Sequence, residues 1–139
     1  MRTYETSVDI AAPPATVWAA TVDVEAWPTW SATTDTVRRQ EGGPIRPGST
    51  AIVIQPRLRP ATWTVREADR DESFVWDTTG PGYVVTARHE IRPRGDGSSL
   101  RLQVVMTGLL SSVVWLVTGG VVRRYLDLEA VGLKRYCER

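Results

Sequence analysis

The chain is 139 residues long, 42% hydrophobic and 24% charged, with a net charge of +1, the balance of an ordinary globular domain rather than a disordered or collagenous chain. Near-neutrality gives no electrostatic reason to expect binding to nucleic acid or to an anionic membrane. A single cysteine, Cys137, and a single histidine, His89, exclude an internal disulfide and a Cys/His metal cluster, leaving open only a carboxylate-dominated metal site. With no Walker or Rossmann pattern in the chain, no metal and no cofactor is the expectation.

Tyr4, Thr6, Val8 and Ile10 alternate with Glu5, Ser7 and Asp9, the period of a strand with one buried face. The same opening residues lack the order of a secretion signal, and a cytoplasmic location is the expectation. Pro13 and Pro14 suit the first turn of a helix, which residues 15–21 continue. A second short helix is expected within 24–30, with Asp23 as its N-cap and Pro28 ending it. Six strand-like segments follow, at 33–40, 50–55, 61–68, 73–78, 83–92 and 98–107. Gly42-Gly43, Pro47-Gly48, Gly80-Pro81-Gly82 and Gly95-Asp96-Gly97 supply the turns between them, too short for parallel crossovers, so neighbouring strands are antiparallel.

The last element, 111–138, contains no proline. Trp115, Gly119, Val122, Leu126, Glu129, Leu133 and Tyr136 recur in steps of four and three along one helical stripe. Arg123, Asp127, Lys134 and Glu138 share the opposite stripe, which reads as a solvated face without specific partners. The most apolar run, 109–122, is shorter than the roughly 20 residues of a membrane span and is expected to be a core helix. Gly119-Gly120 inside it calls for a packing or bending role.

Segregated helices and an antiparallel sheet define an α+β chain, expected as one domain over 1–139: seven strands curved around a long C-terminal helix, with two short helices after the first strand. A curved sheet gripping one helix leaves space between them, where a ligand is expected.

Val8-Asp9-Ile10-Ala11-Ala12-Pro13-Pro14-Ala15-Thr16-Val17-Trp18, followed by Asp23-Val24-Glu25-Ala26-Trp27-Pro28-Thr29-Trp30, strongly resembles the polyketide cyclase/dehydrase group of the START-like (SRPBCC) superfamily. Gly108-Leu109-Leu110 and the close from Tyr125 to Lys134 look like the same group. The resemblance implies the helix-grip fold shared with birch-pollen-allergen-like and lipid-transfer proteins. Its members include carriers, lipid-binding modules and aromatase/cyclases.

His89 shares the strand phase of Tyr83, Val85, Ala87 and Ile91 and is expected to face the cavity, either as a wall residue bonded to a neighbour or a water or as a proton donor or acceptor for a ligand, with no acid partner identifiable. Glu129, amid the apolar stripe, is either a buried structural acid or a general acid/base; these two are the catalytic candidates. Trp63 and Trp76 are expected on the inner sheet face as flat walls, and Tyr83, Tyr125 and Gln55 complete the polar set. Trp18, Trp27 and Trp30 are expected to fix the short helices or guard the cavity mouth. Cys137 has no feature of a nucleophile. The leading reading is a binding module for a small hydrophobic molecule, lipid-like, aromatic or polyketide-like, working as a monomer or homodimer. The alternatives are a polyketide cyclase/aromatase/dehydratase-type enzyme using the same cavity, and an interaction protein whose cavity has filled with side chains.

Overall fold

A computed structural model describes all 139 residues. Strand β1 (Arg2–Ile10) leads into helix α1 (Pro14–Val22) and a 3₁₀ helix (Val24–Thr29). Six strands follow, β2 (Thr36–Arg39), β3 (Thr50–Ile54), β4 (Ala61–Asp69), β5 (Ser73–Gly80), β6 (Tyr83–Arg94) and β7 (Gly97–Thr107), and then helix α2 (Ser111–Glu138). The seven strands form one antiparallel sheet in the order β1-β7-β6-β5-β4-β3-β2. Only β1 departs from sequence order, pairing along its whole length with β7. A bulge at Val65/Glu67 of β4 breaks the ladder, the kind of irregularity that bends a sheet around what it covers.

The elements form where local chemistry favours them. Pro14 occupies the first turn of α1, where its missing N–H costs nothing. Asp23 does not cap the next helix with its side chain; its N–H closes α1 on the Ala19 carbonyl at 3.3 Å. With Pro28 inside, the 24–29 segment adopts the tighter 3₁₀ turn rather than an α-helix. β2 starts three residues later than expected, because Ser31, Thr33 and Thr34 are buried in a hydroxyl cluster, Ser31 Oγ lying 3.0 Å from Thr33 Oγ1. Side-chain hydroxyls bonded locally compete with a strand ladder.

Helix α2 spans 28 residues with Trp115, Gly119, Leu126, Ala130 and Leu133 buried against the sheet. Its C-terminal half docks on β1 through polar side chains expected to be free. Tyr4 donates its hydroxyl to Asp127 at 2.8 Å, and this bond holds the phenol above its ordinary pKa. Lys134 Nζ donates to the Asp9 carbonyl at 2.8 Å and to Glu138 at 2.6 Å, while Glu138 accepts the Ala11 N–H at 2.7 Å. Arg123 does not pair with Asp127; its guanidinium lies 5.5 Å from the Trp115 ring centre. The polar stripe is therefore a docking seam rather than a partnerless face, with partners more than 100 residues away in sequence.

The N-terminal half of α2 corrects a second expectation. Leu109, Val113, Leu116 and Val117 are exposed, so the apolar run is a core helix on one face only. Gly119 meets the Trp115 ring, where a Cβ would stand 3.0 Å from Nε1, but Gly120 faces open space and has no packing role.

The start of α2 is tied to the β5–β6 hairpin. Leu110 donates its N–H to the Gly82 carbonyl at 2.8 Å, and Gly108 approaches the same carbonyl with φ +113°, where a Cβ would stand 2.4 Å from the oxygen. Gly108→Ala is expected to destabilise the fold by about 1 to 3 kcal/mol in chemical denaturation, through both the strained φ and the displaced hairpin. A loss below about half a kilocalorie would show that the junction yields freely.

Candidate functional site

The alternation of β6 turns Tyr83, Val85, Ala87 and His89 toward α2, and Val104 and Met106 of β7 share that face. Opposite them α2 presents Val114, Thr118, Val122, Tyr125 and Glu129, spaced by three and four. Between the two surfaces lies a cavity of about 720 Å³, within the roughly 300–1,000 Å³ of small-molecule sites. The seven residues expected from the sequence to form its aromatic and polar walls all border it: Trp63, Trp76, Tyr83, His89, Tyr125, Glu129 and Gln55, whereas Trp18 and Trp30 do not.

One wall is aromatic. Trp76 is the hub, its ring centre 5.2 Å from Trp27, 5.4 Å from Trp63 and 5.1 Å from Phe74. Trp27 belongs to this wall rather than to the short helices alone; its Nε1–H is satisfied by the Thr21 carbonyl at 3.0 Å, leaving the ring face for packing. Trp30 packs behind this wall, its ring centre 5.6 Å from Trp27 and 6.4 Å from Tyr136, and does not line the cavity.

The polar end holds a pair that the sequence does not reveal. His89 is 2% exposed, with Nδ1 3.2 Å from the Phe74 carbonyl and Nε2 2.9 Å from Glu129 Oε1. A carbonyl only accepts, so Nδ1 carries a proton and donates. The Nε2···Oε1 contact then holds one further proton, resident on the ring or on the carboxyl. Glu129 keeps 15% side-chain exposure and borders the cavity, and no protein group bonds its second oxygen. The pair offers a ligand a carboxyl oxygen backed by a buried imidazole.

Tyr125 and Tyr83 play different parts. The Tyr125 hydroxyl donates to the Pro56 carbonyl, joining α2 to the β3–β4 loop across the opening. The Tyr83 ring lies against Gly80, where a Cβ would fall 2.2 Å from it. The loop side of the opening is formed by Arg57, Leu58, Arg59 and Pro60, a stretch without periodicity and so without a signal in the sequence. Cys137 stands apart; burial pushes its pKa up to about 11, which keeps the thiol protonated and unreactive.

An open antiparallel sheet closed over one long helix, with an aromatic cavity between them, defines the helix-grip class. Within it, the chain belongs to the family described as polyketide cyclase / dehydrase and lipid transport, which it matches over residues 1–138. The fold is similar to the solution structure of the KanY protein, with a TM-score of 0.77, 23% identity and coverage of 98% of this chain and 97% of that one. It is also similar to the crystal structure of Ara h 8.0201, with a TM-score of 0.71, 16% identity and the same coverages. TTHA0849 from Thermus thermophilus gives a TM-score of 0.77 at 12% identity, again covering 98% and 97%. No curated protein matches the sequence significantly.

Proposed function

We propose that the protein binds a small, flat hydrophobic molecule carrying at least one hydroxyl, held in the cavity between the sheet and α2. The observation that carries this reading is the composition of the cavity: Trp27, Trp63 and Trp76 on one wall, aliphatic side chains of β6, β7 and α2 around them, and the His89–Glu129 pair at one end. Flat walls contact a planar ring system over its whole face, and a lone polar pair in an apolar space fixes orientation. A volume of about 720 Å³ speaks against an interior filled by side chains. Hydrophobic ligand binding accords with the family description.

A second reading is favoured by the proton held between Nε2 and Oε1. A carboxyl–imidazole pair facing a bound ligand can move a proton to or from it, as a cyclase- or dehydratase-type enzyme would require.

Native mass spectrometry of gently purified protein tests the binding proposal. A fraction carrying an added small mass, released into organic solvent on denaturation, is the expected result. The bare mass alone, together with no thermal shift on adding a naphthol, would contradict it.

A further inference from the structure

Eight large apolar side chains are exposed on the whole chain, and five of them, Leu109, Leu110, Val113, Leu116 and Val117, fall within nine consecutive residues at the start of α2. Their exposures are 99, 47, 61, 86 and 78%. A sixth, Ile54, ends β3 where the chain enters the loop across the opening. Val113 and Val117 precede the cavity-lining Val114 and Thr118 by one residue each, about 100° round the helix, on the side away from the buried Trp115 and Gly119. The Val113/Val117 edge of the exposed stripe therefore borders the cavity opening, and Leu116 extends the stripe away from it. Contiguous exposed apolar surface of this kind marks an interaction site.

Charge is segregated in the same place. Three segments rim the opening: the 55–60 loop, the 78–84 hairpin and the 109–126 stretch. Together they contain Arg57, Arg59, Arg123 and Arg124 and no aspartate or glutamate. Arg123 is turned away from the opening, over the Trp115 ring. Arg57, Arg59 and Arg124 are exposed and none is in an ion pair, whereas Arg66, Arg88 and Arg101 elsewhere on the sheet pair with Asp77, Glu67 and Glu5. Of the carboxylates next to the rim, Asp127 is engaged by Tyr4, and Asp35 stands beside Ile54 through a backbone bond of 2.9 Å.

We propose that this face docks the protein on an anionic lipid bilayer. The apolar stripe enters the boundary between headgroups and acyl chains, the arginines meet lipid phosphates, and the cavity opening is set against the membrane. Charge decides the occupant. A two-fold pairing with a second copy would set this arginine-bearing face against an identical one, whereas an anionic surface neutralises it. The proposal goes beyond ligand binding, because membrane association needs no molecule in the cavity.

Co-sedimentation with vesicles at low salt tests it. Binding is expected to vesicles of equal parts phosphatidylglycerol and phosphatidylcholine, and to be weaker by about tenfold or more with pure phosphatidylcholine or at high salt. Arg57→Gln/Arg59→Gln is expected to lower binding about twenty-fivefold, about fivefold for each charge. Leu116→Ser/Val117→Ser is expected to lower it about tenfold with unchanged melting temperature and unchanged affinity for a naphthol, since both side chains are outside the core and the cavity. Absence of binding to the anionic vesicles, or binding indifferent to both double variants, would overturn the proposal. So would a solution dimer that Leu116→Ser/Val117→Ser dissociates, which would make the face a self-interface.

Discussion

Truncating Leu133 to alanine is expected to lower the unfolding free energy by about 2 to 5 kcal/mol in chemical denaturation. Leu133 is 1% exposed, belongs to the central apolar cluster and does not border the cavity, so its removal opens a new void among residues that cannot close around it. Leu126 sits two turns earlier on the same stripe at 6% exposure but already lines the cavity. Its truncation widens an existing space, and the expected cost is at the lower end, about 2 kcal/mol. Val113→Ala, at 61% exposure, is expected to change stability by less than about half a kilocalorie. If the three substitutions cost the same, α2 is not seated as described.

The second large effect concerns ligand affinity at the polar end. Glu129→Leu removes the carboxyl oxygen that a bound hydroxyl would use and leaves His89 Nε2 without its partner at 2.9 Å. Leaving the bound hydroxyl without a partner costs about 1 to 3 kcal/mol, so a naphthol is expected to bind about five- to a hundredfold more weakly, while naphthalene, lacking the hydroxyl, is expected to lose little. Equal losses for the two molecules would mean that the pair braces the wall rather than reads the ligand. His89→Gln separates carrier from enzyme. A carrier is expected to lose about tenfold or less in affinity, because glutamine preserves a donor and much of the size. An enzyme passing a proton through the ring is expected to lose about a hundredfold or more in turnover, because glutamine does not exchange a proton near neutral pH.

Much of this site is legible in the amino-acid chain itself, and the reason is periodicity. The alternation through β6 fixes which face Tyr83, Val85, Ala87 and His89 share, and the three-and-four spacing of α2 sets Trp115, Leu126 and Leu133 inward. What periodicity does not carry is partnership. It places both His89 and Glu129 on inner faces but is silent on the contact between them, which spans 40 residues of sequence. The same gap conceals the seam between α2 and β1, where Asp127, Lys134 and Glu138 read as solvated because their partners lie at the other end of the chain. A mean conceals other features. A run as apolar as 109–122 suggests a core helix, yet its start presents leucine and valine to solvent. A net charge of +1 suggests an indifferent surface, yet Arg57, Arg59 and Arg124, exposed and without ion-pair partners, fall on the segments that rim one opening.

Calorimetric titration of a naphthol into the protein and into Thr118→Phe tests the ligand site most directly. Thr118 lines the cavity from α2 and bonds only within its own helix, to the Val114 carbonyl at 2.8 Å, so a phenyl ring there takes up ligand space without disturbing the sheet. The native protein is expected to bind with roughly micromolar affinity, and the variant, folded at an unchanged melting temperature, at least about tenfold more weakly. No binding by the native protein, or equal binding by the two, would contradict a ligand site between the sheet and α2.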